Sequence, residues 1–101
     1  MFYVEHSVAF YLDKGRTMKM LKMYGSPICK NCVEAVEALH QKGVSYEYHI
    51  ITGCTAELKA FLQLRDHEPV FDAVKAEGKI GIPCFVKEDG TVTLSLEEAL
   101  S

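Results

Sequence analysis

This sequence predicts an α/β domain built on a mixed sheet with helices on both faces, and three observations carry the prediction. Apolar periodicity alternates along the chain between two residues and about 3.6. Between residues 18 and 50 a strand, a helix and a strand follow one another, which requires a right-handed crossover and a parallel pair. Near the C-terminus Glu88-Asp89-Gly90 signals a hairpin, which requires an antiparallel pair. From residue 18 the order reads β-α-β-α-α-β-β-α, a four-stranded mixed sheet flanked by helices, preceded by an N-terminal extension with strand character.

The elements follow in order. Phe2, Val4, Val8, Phe10 and Leu12 share one parity, broken by His6, and read as a strand. Asp13-Lys14-Gly15-Arg16 is a turn signal, and a second strand runs from about Met18 to Tyr24, so the pattern suggests a hairpin between 2–12 and 18–24. Gly25-Ser26-Pro27 breaks the alternation just ahead of Cys29. From Lys30 the period is helical, with Val33, Val36, Leu39 and His40 along one side and Gly43 at the C-cap position. Val44, Tyr46, Tyr48 and Ile50 then face one way while Ser45, Glu47 and His49 face the other. Thr55 is placed to cap a second helix with the stripe Leu58, Phe61 and Leu62. Pro69 opens a further helix whose buried side is Val70, Phe71 and Val74, and Gly78 stops it. Ile80 to Pro83 is extended, Cys84-Phe85-Val86 is a strand, and the hairpin leads into Thr91 to Leu94. Ser95-Leu96-Glu97-Glu98 has capping-box spacing and opens a short last helix.

Composition bounds the function. At 101 residues the chain has room for one domain, and 49% apolar with 25% charged residues excludes intrinsic disorder. A net charge of −3 with no block of one sign supplies no basic face for nucleic acid. No apolar run reaches the length of a membrane span, and the N-terminus lacks the basic start and cleavage site of a signal peptide. The expected compartment is the reducing cytoplasm. There, Cys29, Cys32, Cys54 and Cys84 are more often catalytic, metal-binding or buried than paired in structural disulfides.

Cys29-Lys30-Asn31-Cys32 is a CxxC at a strand-to-helix junction. Unpaired N–H groups and the helix macrodipole there favour an anion, and the thiolate is the attacking species in disulfide exchange. Lys30 adds a nearby positive charge. Cys32 stands about one turn on, where it can reach back to resolve a mixed disulfide. A four-cysteine zinc site wants a second close pair, whereas Cys54 and Cys84 are thirty residues apart, so no metal is expected.

With Tyr24-Gly25-Ser26-Pro27-Ile28-Cys29-x-x-Cys32 ahead of a helix and Gly81-Ile82-Pro83 ahead of a hairpin, the chain resembles the thioredoxin superfamily, and within it a glutaredoxin-like protein. Leu64-Arg65-Asp66, Phe71-Asp72-x-x-Lys75 and Gly78 to Pro83 are similar to the small glutaredoxin-related proteins. The resemblance covers about Lys19 to Leu100 and divides the chain into an extension, 1–17, and a glutaredoxin-like domain, 18–101. It implies a thioredoxin-like fold and a thiol–disulfide oxidoreductase with Cys29 as nucleophile and Cys32 as resolving cysteine. It further implies that Pro83 is cis and that the backbone of Ile82 pairs with the substrate, a protein disulfide or a glutathione mixed disulfide. No bound cofactor is implied, and glutathione is a possible reductant. The chain departs from common glutaredoxins in three places. Lys30-Asn31 replaces Pro-Tyr between the cysteines, no lysine precedes the motif in Gly25-Ser26-Pro27-Ile28, and Gly90 to Leu96 contains no Gly-Gly-acidic sequence.

The remaining candidates carry two readings each. Cys54, after the third strand of the chain, shares a sheet edge with Cys29 and reads as a third redox thiol or as a cap-region cysteine. Cys84 reads as core. His6, His40, His49 and His67 are scattered, without an obvious carboxylate partner, and read as surface or partly buried. Tyr24 reads as sheet packing and Arg65-Asp66 as a local ion pair or cap. Residues 1–17 read as an added edge strand or a dimerisation segment, which leaves the chain a monomer or a dimer. The alternative to catalysis is a non-enzymatic module that senses redox state or binds a metal or a partner.

Overall fold

The computed structural model describes the backbone of Phe2–Tyr3 and residues 20–101. In chain order the elements are β1 (Phe2–Tyr3), β2 (Leu21–Gly25), α1 (Lys30–Gln41), β3 (Tyr46–Ile50), α2 (Thr55–His67), a 3-10 turn (Pro69–Phe71), α3 (Asp72–Ala76), β4 (Cys84–Val86), β5 (Val92–Thr93) and α4 (Leu96–Ala99). β2 and β3 are parallel, in register from Leu21↔Tyr46 to Gly25↔Ile50, as a strand–helix–strand unit requires. β4 lies antiparallel on the other edge of β2, with Met23 opposite Phe85, and β5 closes the hairpin. Strands β2 to β5 are thus the four-stranded mixed sheet the sequence predicts.

β1 extends that sheet on its far edge, in the order β1-β3-β2-β4-β5. It pairs antiparallel with β3, Phe2 opposite Tyr48, and not with β2 as a 2–12/18–24 hairpin would require. β2 already has a neighbour on each side, so its edges are taken. The rest of that hairpin expectation, including the turn at 13–16, lies outside the described residues, and β2 itself begins at Leu21.

Both faces of the sheet are covered. On one, Cys32, Ala35 and Leu39 of α1 and Ala99 of α4 pack on Leu21, Met23, Tyr46, Tyr48 and Phe85. On the other, Phe61 of α2 and Phe71 of the 3-10 turn pack on Tyr24, Ile51 and Cys84. Cys84 is fully buried, the core position that the sequence suggested.

Several helix assignments shift by a position. The buried stripe of α1 is Cys32, Ala35 and Leu39, with Val33 left 46% exposed. Cys54, not Thr55, is the N-cap of α2. In that helix Phe61 and Glu57 are buried while Leu58 and Leu62 stay in part exposed. After Pro69 the chain makes a single 3-10 turn before the short α3, and Val70 faces outward while Phe71 enters the core. The last helix begins as predicted, with the Ser95 Oγ accepting from the Glu98 N–H. Among the described residues, no helix is long and apolar enough to cross a membrane.

Candidate active site

The C-terminal ends of β2 and β3 and the N-termini of α1 and α2 meet at one edge of the sheet, a consequence of the parallel pair. Cys29 is the N-cap residue of α1, in extended conformation, so its backbone turns the chain into the helix while its side chain stays half-buried. Its N–H donates to the Ser26 carbonyl, and its own carbonyl accepts from the Val33 N–H. The loop ahead of it is tied down twice more. The Ile28 N–H donates to Ser26 Oγ, and Ser26 Oγ and Thr52 Oγ1 are hydrogen-bonded at 2.8 Å. The Ile51 N–H donates to the Gly25 carbonyl at the same edge. The nucleophile candidate therefore hangs on a braced turn.

Cys32 lies under it. The two cysteines approach to 3.3 Å, both as free thiols. Cys32 is fully buried against β2, and a β-carbon at position 25 would come within 2.8 Å of its sulfur. Gly25 is therefore the residue that lets the resolving thiol sit so close to the strand. Desolvation pushes the Cys32 thiol up to about 12, against which a hydrogen bond from the Ser26 backbone acts; the neighbouring Cys29 adds to the rise. Nearby on this face, burial foremost and then the cysteines raise the Tyr48 hydroxyl as well. That hydroxyl is buried without a hydrogen-bond partner among the described residues.

Across from Cys29 the Ile82–Pro83 peptide bond is cis. Cys29, Asn31, Ile80, Ile82, Pro83 and Leu96 are among the residues lining a cavity of about 600 Å³. The sequence candidates Cys29, Cys32, Ile82 and Pro83 are thus neighbours. Lys30 is the first residue of α1 and exposed, and Asn31 rather than Lys30 lines the cavity. Cys54 is exposed at the N-cap of α2 and lines a separate, adjoining cavity.

Two further features escaped the sequence reading. Among the described residues Arg65 makes no ion pair and caps no helix: its Nε donates to the Ile80 carbonyl at 2.8 Å and its Nη2 to that of Lys79 at 2.6 Å. It pins the segment leading to Pro83 against α2. His49 is buried, not at the surface, and has two carboxylate partners. Its Nδ1 faces Glu57 Oε2 at 2.9 Å and its Nε2 faces Glu47 Oε1 at 2.9 Å, with the Tyr24 ring stacked at a centroid distance of 4.8 Å. Among the described residues, no group of three or more His, Cys, Asp or Glu side chains could hold a metal ion.

No protein-family model matches the chain, and no solved structure matches it. An uncharacterized protein of Haemophilus influenzae is 33% identical to it over 76 residues, covering 75% of this chain and 88% of that one.

Proposed function

We propose that this chain, which belongs to one family with that uncharacterized Haemophilus influenzae protein, is a glutaredoxin-like thiol–disulfide oxidoreductase on a thioredoxin-like fold. The fold reading is supported by the parallel β2–β3 pair, the antiparallel β4–β5 hairpin and the helices on both faces. The single observation that carries the activity is the dithiol itself. An accessible sulfur at a helix N-cap stands over a buried one, within 3.3 Å, beside an open cavity.

The chemistry follows from that asymmetry. The Cys29 thiolate attacks one sulfur of a substrate disulfide, forming the Cys29–substrate mixed disulfide and expelling the first substrate thiolate. The sulfur of Cys32 then attacks Cys29 Sγ, and its proton passes to the substrate sulfur that is released. The second substrate thiol leaves, and a Cys29–Cys32 disulfide remains. Two electrons have passed to the substrate, and an external thiol reductant, glutathione or a protein dithiol, returns them. No resident cofactor is required, because the electrons reside in the two sulfurs. The helix N-terminus favours negative charge on the Cys29 sulfur before it attacks. The Ser26 N–H does the same for Cys32.

The test is turnover of a small mixed disulfide with glutathione and with a dithiol as reductant. Cys29→Ser should abolish it; Cys32→Ser should arrest the dithiol-driven cycle at the mixed disulfide. Turnover by wild type no faster than the protein-free reaction would leave the non-enzymatic, partner-binding module as the reading.

A further inference from the structure

We propose that the substrate is a polypeptide rather than a small thiol. Its half-cystine meets Cys29, its chain lies extended along Ile80 to Ile82, and a large apolar side chain a few residues away fills the cavity between α2 and Gly78–Ile80. This deepens the dithiol-exchange reading and rests on it.

Four observations support the assignment. The second cavity is about 700 Å³ and is walled by Ile51, Leu58, Phe61, Leu62 and Ile80. That volume exceeds one residue, so it admits a Leu or aromatic side chain together with the stretch of chain that carries it. Leu58, Leu62 and Ile80 are 38%, 39% and 57% exposed, a cluster of large apolar side chains left facing water beside the dithiol edge. The cavity adjoins the Cys29 cavity, since Gly78, Lys79 and Ile80 line both. An occupant that starts at Cys29 and continues past this shared wall has to be a chain.

That wall is also built to receive a chain. Residues 80–82 belong to no helix or strand, and among the described residues no backbone carbonyl accepts from the N–H of Ile80, Gly81 or Ile82. Arg65 occupies the carbonyls of Lys79 and Ile80 and fixes the strip in place. Gly81 holds it against the core, with φ +97° and room for no β-carbon beside the Phe71 ring. Free N–H groups on a braced strip are donors for an incoming peptide backbone.

Charge points the same way. Glutathione carries two carboxylates and an ammonium. Among the described residues Lys79 is the only charged side chain lining the Cys29 cavity, and its Nζ is already 3.0 Å from Glu77. The second cavity adds only Arg65, whose guanidinium is engaged with backbone. An apolar peptide loses nothing there, whereas a zwitterionic tripeptide would desolvate its charges without matching partners.

The experiment uses the full chain and a set of hexapeptides, each with one cysteine as its 5-thio-2-nitrobenzoate mixed disulfide. Phe is moved through the positions on either side of that cysteine in an otherwise Ser background. The glutathione mixed disulfide of the same chromophore is the comparison. A Phe at one or two positions should raise kcat/KM by at least about tenfold over the all-Ser peptide and over glutathione, mostly through KM. Leu62→Ser and, separately, Leu58→Ser should bring the Phe-to-Ser ratio close to one. Glutathione turned over as well as the best peptide, or a Phe advantage independent of position, overturns the proposal while leaving disulfide exchange intact. So does a wild-type dimer that Leu62→Ser turns into a monomer, since a second copy then fills the cavity. Failure to reduce any of these disulfides overturns the exchange reading itself.

Discussion

Cys32 and Cys29 differ in environment more than in chemistry. One is sealed between α1 and β2 and the other opens to a cavity, so attack from outside can reach only the second. The motif spacing made that division legible, because Cys29 precedes the helix and Cys32 falls one turn inside it. His49 was not legible. Strand alternation put Glu47 and His49 on the side away from Tyr46 and Tyr48, and that much holds. But α2 covers that side too, so the polar face of β3 is buried, and Glu57 comes from eight positions on to meet it. Both His49 ring nitrogens lie 2.9 Å from a carboxylate oxygen, and removing the ring would take that hydrogen bond from each of two largely buried side chains. His49→Leu should therefore cost about 3–5 kcal/mol, read as a lower urea midpoint. Adding Glu57→Leu should recover part of the loss, because the leucines can then pack together. A loss under about 1 kcal/mol would show that water satisfies the carboxylates.

Between elements, two glycines do what no periodicity announces. Gly25 ends β2 beneath the Cys32 sulfur, and Gly81 turns the chain toward Pro83 against Phe71. In sequence they read only as strand punctuation, since the reason for each lies on a helix or turn far away in the chain. Gly81→Ala combines a positive φ with a β-carbon 2.8 Å from the Phe71 ring, so it should destabilise by about 2–4 kcal/mol. Measured by urea unfolding, a neutral Gly81→Ala would mean that the Ile80–Ile82 strip is not held as described. The helices show why stripe reading misplaced residues. Val33, Leu58 and Leu62 have the hydrophobicity of core positions but sit at the margins of their helices. On α2 that margin borders a cavity, which is a property of the assembled fold and not of the helix.

For the whole molecule, the parallel β2–β3 pair and the antiparallel β4–β5 hairpin were legible because connection length and turn chemistry constrain them. The partner of β1 was not, although an added edge strand was one reading of residues 1–17. A strand adjacent in sequence to β2 is the natural hairpin partner, but β3 and β4 already flank β2. Stability should also carry the mark of the buried thiols and phenols. Burial pushes Cys32, Cys84 and Tyr46 up to about 12, from 9.0 for the thiols and 10.0 for the phenol. Between those values the unfolded chain has released the proton and the native protein has kept it. The native state thus binds more protons, and stability falls as pH rises. These groups add no pH dependence below pH 9, and stability should decline from pH 9 to 12, with a shallower slope in Cys84→Ala as one such group is removed. A midpoint independent of pH over that range would contradict the burial of these groups.

The central claim is that Cys29 attacks and Cys32 resolves. It is tested most directly by quenching the reaction with a peptide mixed disulfide at short times and mapping every adduct by mass spectrometry, in wild type and in Cys32→Ser. The account predicts a Cys29–peptide disulfide that accumulates in Cys32→Ser and gives way to a Cys29–Cys32 bridge in wild type, with Cys54 and Cys84 free. An adduct formed first on Cys54, or one on Cys29 that persists in wild type, would contradict it.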